Sequence, residues 1–259
     1  MIESPHLNPL PEGEEDARAA GRGEITMSGS PIGITFALPS ESSGFVRRLQ
    51  APHRHDNLLS GKIGERDVAI LHTGVGAGEC NERLEILLHK ARPRLVISSG
   101  FAGAVNEDLR VGDLILARNF SDPGLLASAQ QILRDRQPRM VKLFTSTSII
   151  DSVAERNEIA RVAGAEAVDM ETGAIVAVCN VHGVPLLSLR AISDTARQSF
   201  PMPPSVLFDI KSQRTSIGRL VAYLFRHPTS VWRLLGFTRQ IAQARAVLTD
   251  AIIALVKVL

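Results

Sequence analysis

The sequence predicts an α/β protein, a three-layer α/β/α fold with a twisted mixed sheet and a helical C-terminal extension. Three observations carry this expectation. Short apolar runs alternate with stretches of helical period between Ile32 and Ile192, which implies a largely parallel sheet covered on both faces. Several runs end in glycine or other small residues, at the strand ends where open sheets collect ligands. After Pro204 the pattern changes to helices alone.

Taken in order, Ile32 to Leu38 is an apolar run bounded by Pro31 and Pro39, a buried strand feeding a short helix that begins near Ser42. Asn57 to Ile63 and Val68 to Leu71 form a strand pair, turned through Gly64, Glu65 and Arg66. Gly74, Gly76 and Gly78 then lead into a helix with Cys80, Leu84, Leu87 and Leu88 on one face. Leu95 to Ser98 is a strand ending in Ser99-Gly100-Phe101-Ala102-Gly103, and Asp113 to Ala117 is another after a polar turn. Val141 to Phe144 and Ala167 to Met170 are further short strands, Thr172 to His182 is a helix, and Pro185 to Ile192 is a strongly apolar strand. Residues 1–26 mix Pro, Gly, Glu and Arg without period and read as a disordered leader, with Met27 a candidate translation start. A main domain over 27–204 follows, then a basic amphipathic helical extension of the same domain over 205–259.

A chain of 259 residues, 44% hydrophobic and 22% charged, buries a full-sized core. Cys80 and Cys179 stand far apart, without zinc-site spacing, and read as free thiols of a reducing cytoplasm. No uninterrupted apolar run has the length to cross a bilayer and no signal peptide opens the chain, so a cytoplasmic location is expected. The net charge of +2 does not imply nucleic acid. The tail is nevertheless basic: Lys211, Arg214, Arg219, Arg226, Arg233, Arg239 and Arg245 occur without Asp or Glu, among Tyr223, Phe225, Trp232 and Phe237. No nucleic-acid motif accompanies them.

Three acids stand at strand ends or exits: Glu41, Glu171 in Val168-Asp169-Met170-Glu171, and Asp194 in Arg190-Ala191-Ile192-Ser193-Asp194. One acid at such a place reads equally well as a helix cap or a loop residue. Three at consistent positions favour chemistry.

Ala167 to Glu171, Gly183-Val184-Pro185 with Arg190 to Asp194, and Ser99 to Gly103 leading to Val111-Gly112-Asp113 together carry a resemblance. Over roughly Ile32 to Ala196 the chain resembles the nucleoside phosphorylase and nucleosidase superfamily, in particular the methylthioadenosine/S-adenosylhomocysteine nucleosidases. The resemblance implies a homo-oligomeric, phosphorylase-like enzyme that cleaves the N-glycosidic bond of a purine nucleoside by water or phosphate, with no metal and no organic cofactor. It assigns Asp194 as the general acid that protonates the departing purine at its imidazole-ring nitrogen. Such an acid must be held protonated by its surroundings. Glu171 would grip the ribose hydroxyls and favour an oxocarbenium-like transition state, with Met170 packed against the sugar. Glu41 would activate water. Thr73-Gly74-Val75-Gly76 matches the segment beneath the ribose where phosphorylases bind phosphate, although by itself it reads as a tight turn. Thr73, Gly74, Gly100, Phe101, Ala102, Met170 and Ser193 are therefore the substrate-binding candidates, and Ser193 could also orient Asp194.

Two departures from that pattern bear on the substrate. The stretch between Ala117 and Val141 is much shorter than in the usual nucleosidase, and Thr147-Ser148-Ile149-Ile150 stands where an aromatic residue commonly stacks on the purine. The first strand exit, Leu38-Pro39-Ser40-Glu41, lacks the arginine of the hexameric phosphorylases, and a carboxylate there repels phosphate and favours water. The short middle, the Val168 to Glu171 motif and the basic tail are most similar to the hopanoid-associated phosphorylase subfamily, which implies removal of adenine from an adenosylated hopane lipid. The tail then has two readings: contact with an anionic membrane surface beside a triterpene substrate, or an ordinary helix pair packed on the domain or a subunit partner. A non-catalytic nucleoside-binding module and a general purine nucleoside phosphorylase are the alternative functions. The presence of all three acids favours an enzyme.

Overall fold

Side-chain alternation along the central strands sorts apolar residues between two helical layers. In strand β1 (Ile32–Phe36), Ile32, Ile34 and Phe36 join one cluster, with Val68 and Ile70 of β4 (Arg66–His72) and Leu95 and Ile97 of β5 (Leu95–Ala104). Ala69 and Leu71 of β4 and Val96 of β5 face the other way, onto α2 (Ala77–Ala91) and α5 (Thr172–Val181). The computed structural model describes residues 29–75, 77–197 and 230–259. The expected leader, the Met27 start, Gly76, the 204/205 boundary and the tail residues Lys211, Arg214, Arg219, Arg226, Tyr223 and Phe225 lie outside the described residues.

The fold class is the one expected, a mixed sheet between helices. Its strand order is β2-β3-β4-β1-β5-β10-β6-β7, with β9 paired to the end of β5 and β8 to β9. Here β2 is Gln50–His55, β3 Leu58–Ile63, β6 Leu114–Ala117, β7 Arg139–Val141, β8 Leu143–Thr145, β9 Ala167–Asp169 and β10 Leu186–Asp194. The β1, β4, β5 and β10 core is parallel, whereas β6 runs antiparallel to β10 and β9 to β5. α1 (Pro39–Val46), α3 (Pro123–Ile132) and α6 (Ser230–Val258) cover one face. α6 is not peripheral: its Ala244, Leu248, Ala251, Ile252, Leu255 and Val256 are buried in the main core beside β10 and α1. Among the described residues, no helix is long and apolar enough to cross a membrane.

Several element boundaries differ from expectation for local reasons. α1 starts at Pro39 rather than near Ser42, because proline's fixed φ suits the first helical position and Leu38 before it is extended. β5 continues through the Ser99 to Gly103 motif instead of ending before it, since β10 and then β9 pair with those residues. The strand expected over Val141 to Phe144 is two strands that change partners at Lys142, β7 joining β6 and β8 joining β9. The Lys142 amide at the switch donates to Glu166 Oε2 at 2.6 Å. β2 was not expected, being an exposed edge strand of His, Arg and Gln without an apolar face. Cys80 and Cys179 are free and buried, and burial pushes both thiols up to about 12, too high for a reactive thiolate.

Candidate active site

The carboxyl ends of β1, β5, β9 and β10 open onto one cavity of about 310 Å³. Its walls include Glu41, Phe101, Ala102, Met170, Glu171, Ser193 and Asp194, so seven of the ten sequence-derived candidates meet at one place. Gly100 stands behind Glu41. A Cβ there would lie 3.3 Å from Glu41 Oε2 and 3.4 Å from Oε1, so glycine leaves the space that the carboxylate fills. Thr73 and Gly74 are not among the lining residues, although their neighbour Val75 is. The Thr73 and Gly74 amides already donate to the carbonyls of Phe36 (2.9 Å) and Ala37 (3.0 Å), and the Thr73 hydroxyl lies 3.1 Å from the carbonyl of Gly74.

Glu41 occupies the first turn of α1, and its carboxylate turns back over the helix start. Oε2 accepts from the amides of Ala37 (2.9 Å) and Leu38 (3.2 Å), and Oε1 from that of Phe101 (3.4 Å) on β5. Capping and cavity lining are thus combined in one side chain. Burial pushes the Glu41 carboxyl above the ordinary carboxylate range, against the pull of the Leu38 amide, the Arg190 guanidinium and the amides of Phe101 and Ala37.

Asp194 ends β10, where the register shifts after Ile192. Its Oδ2 meets Nη2 of Arg156 at 2.5 Å, and its Oδ1 accepts from the Ser193 hydroxyl at 2.7 Å. Arg156 lies on α4 (Val153–Ala163), is 1% exposed, and also donates to the carbonyls of Ala104 (2.9 Å), Thr195 (3.0 Å) and Ile150 (3.1 Å). Burial pushes the Asp194 carboxyl up, opposed chiefly by Arg156 and then by the Ser193 hydroxyl. Gly103 makes room for this pair, since a Cβ there would stand 3.1 Å from Asp194 Oδ2 and 3.4 Å from Arg156 Nη1. The two glycines of the β5 motif therefore each make room for one of the buried acids.

Glu171 follows β9 and precedes α5, and its side chain makes no capping hydrogen bond to that helix. Asp169 takes that place. Its Oδ2 accepts from the Thr172 amide at 3.2 Å and the Thr172 hydroxyl, and from Arg190 Nε (3.1 Å) and Nη2 (3.0 Å), while Oδ1 accepts from Thr145 Oγ1 (2.9 Å). Arg190 reaches on to the Ser98 carbonyl (2.6 Å) and hydroxyl (2.9 Å). This buried network pins the turn that carries Met170 and Glu171.

Sequence reasoning missed Arg156, Phe237 and Ile241 as cavity residues. Arg156 sits between Glu155 and Glu158 and reads as a solvated face. A usable signal was present in the Ser152…Glu155 pair, where Ser152 Oγ accepts from the Glu155 amide at 3.1 Å, and in Gly164, which ends α4 at φ +58°. Ser148, Ile149 and Ile150, which replace the expected aromatic residue, do line the cavity.

Buried carboxyl groups around a largely apolar cavity at the carboxyl ends of an α/β sheet define a small-molecule site equipped for acid–base chemistry. The chain belongs to the Phosphorylase superfamily, whose family model matches residues 31–122 and 118–225. It is 27% identical over 197 residues to 5'-methylthioadenosine/S-adenosylhomocysteine nucleosidase of Staphylococcus haemolyticus, a match covering 64% of this chain and 86% of the relative. Its fold is similar to that of the Neisseria meningitidis nucleosidase of the same name in complex with methylthio-immucillin-A (TM-score 0.68, 16% identity, 89% of this chain and 100% of that one). It is also similar to futalosine hydrolase of Helicobacter pylori (TM-score 0.67, 16% identity, 89% and 98%).

Proposed function

We propose that this chain cleaves the N-glycosidic bond of a purine nucleoside with water, releasing adenine from an adenosylated hopanoid or a related 5'-substituted adenosine. One observation carries the reading: Glu41 and Asp194 line one cavity, and burial raises both carboxyl groups. Asp194 gives its proton to the purine ring nitrogen as the bond to the sugar carbon breaks and its electron pair passes to the base. Glu171 holds the ribose hydroxyls, and Met170 packs on the sugar. Glu41 takes a proton from the water whose oxygen bonds to the sugar carbon. Ser193 and Arg156 hold the acid in place. The proposed chemistry needs no cofactor.

Water is favoured over phosphate because, among the described residues, the anion-binding groups nearest the cavity are engaged. Arg156 holds Asp194, Arg190 holds Asp169, and the amides of Thr73 and Gly74 serve backbone carbonyls. A cavity of about 310 Å³ lies at the low end of small-ligand sites, roughly 300–1,000 Å³. It suits the nucleoside and leaves a bulky 5' group to project outside. Phe237 and Ile241 of α6 add to the apolar wall, and Trp232 (77% exposed) and Leu235 (46%) lie on the preceding turns. That exposed apolar stretch fits a lipid substituent. The burial of α6 in the core supports reading 27–204 and 205–259 as one domain.

Adenine release, followed by chromatography from adenosine, methylthioadenosine and an adenosylated hopanoid, each with and without phosphate, tests the reading. Release without phosphate, fastest from the lipid, is expected. Strict phosphate dependence would make the enzyme a phosphorylase. No release from any substrate would leave a nucleoside-binding module.

A further inference from the structure

α2 and α5 both begin on the cavity side of the sheet, after the Thr73 loop and after Glu171, and their later turns meet away from it. There Glu85 and His89, one helical turn apart on α2, face His182, the C-terminal cap of α5. Glu85 Oε2 lies 2.8 Å from His182 Nε2 and 3.4 Å from His89 Nε2. The two imidazoles stand edge to face, centroids 5.5 Å apart, and all three donor atoms lie within 4.8 Å of one another.

We infer that Glu85, His89 and His182 bind one divalent transition-metal ion of the zinc type, clipping α2 to α5 at the end remote from the cavity. A tetrahedral zinc ion with ligands about 2.0–2.1 Å away sets its donor atoms about 3.3 Å apart. The two separations from Glu85 bracket that value. The imidazoles need only rotate towards each other, which His89, 73% exposed at its side chain, is free to do. Two imidazole nitrogens and one carboxylate select a zinc-like or nickel-like ion over magnesium or calcium, which prefer all-oxygen sets. A fourth position is left for water. His89 lies in the last turn of α2 and His182 at the C-terminal cap of α5, positions at which the helix dipole favours a cation. The neighbouring Lys90 is engaged by Asp56 at 2.5 Å. Glu171 and His182 bracket the ten residues of α5, about 15 Å of helix at 1.5 Å per residue, so the ion acts on stability and not on substrate.

The test uses the full chain, purified without a histidine tag, stripped with a chelator and titrated with Zn²⁺ against a chromophoric chelator. One equivalent of Zn²⁺ per chain and a Tm that rises with Zn²⁺ but not with Mg²⁺ are expected. His89→Ala and His182→Ala should each weaken uptake at least about tenfold. Glu85→Gln, which preserves size and polarity, should weaken it in the same direction and decides the matter if either histidine variant does not fold. Failure to draw Zn²⁺ from the chelator overturns the site. So does undiminished uptake in the variants, which would place the ion elsewhere, for instance on His53 and His55 of the exposed edge strand.

Discussion

Glu41 and Asp194 line the same cavity and are both raised by burial, yet opposite means hold them. Glu41 is gripped by the amides of Ala37, Leu38 and Phe101, which are neutral dipoles fixed by β1, α1 and β5. Asp194 is gripped by a full charge, the buried Arg156, with Ser193 on its other oxygen. Amide donors are stationary and orient a carboxylate for taking up a proton. A guanidinium offsets the burial of a charge, so in the proposed reaction Asp194 would be left ionised once its proton had gone to the base. The two walls are suited to different halves of one proton exchange.

The largest test of this contrast is Asp194→Asn, expected to lower turnover by about 10²–10⁴-fold with the circular dichroism spectrum unchanged. Near-normal turnover would remove Asp194 from the acid role. Next is Arg156→Met, which leaves the carbonyls of Ala104, Thr195 and Ile150 without their buried donor and should destabilise the fold by about 1–3 kcal/mol for each acceptor left unsatisfied, measured in urea titrations. In Arg156→Lys the charge stays but the planar fork is lost. The acid's pKa should rise further as the guanidinium's downward pull weakens, and the high-pH limb of the rate profile should move to higher pH. That limb exists because a general acid loses its proton as pH rises through its pKa. In the proposed reaction the low-pH limb is assigned to Glu41, which must be ionised to act as base, so activity is expected to fall as pH drops through its raised pKa. Glu41→Gln should cost about 10²-fold and abolish that limb. An unaltered limb in this variant would assign it to another group. The smallest effect is expected for Gly100→Ala: the Glu41 carboxylate must shift by a few tenths of an ångström, and a loss of roughly tenfold or less in kcat should follow.

The sheet, its two covering layers and the gathering of Glu41, Glu171 and Asp194 were legible because they rest on local patterns. Apolar strands of period two announce themselves, and an acid after such a strand inherits its position from the strand. What could not be read has a common cause. Arg156 is displayed in sequence by charged neighbours and buried only by tertiary contacts with Ala104, Ile150 and Asp194. Asp169 looked like part of a substrate motif, and its partners Arg190, Thr172 and Thr145 make it a structural anchor. The tail read as basic because its arginines stand out, whereas the side chains that fix α6 in the core, Leu248, Ala251, Ile252, Leu255 and Val256, follow the last of those arginines, Arg245, with only Ala244 before it.

Because α6 covers the part of the sheet formed by β10, β5 and β3, the order of synthesis matters to this molecule. When Asp194 leaves the ribosome all the described strands are present, but Leu187 and Leu189 of β10 still lack α6, which packs on that strand. The part of that face which α1 and α3 do not cover stays open to water, and to other nascent chains, until Ala244 to Val256 emerge. The folding chain should therefore be a client of chaperones during a defined late interval of translation, and a ribosome stalled before residue 244 should present it in its most aggregation-prone form.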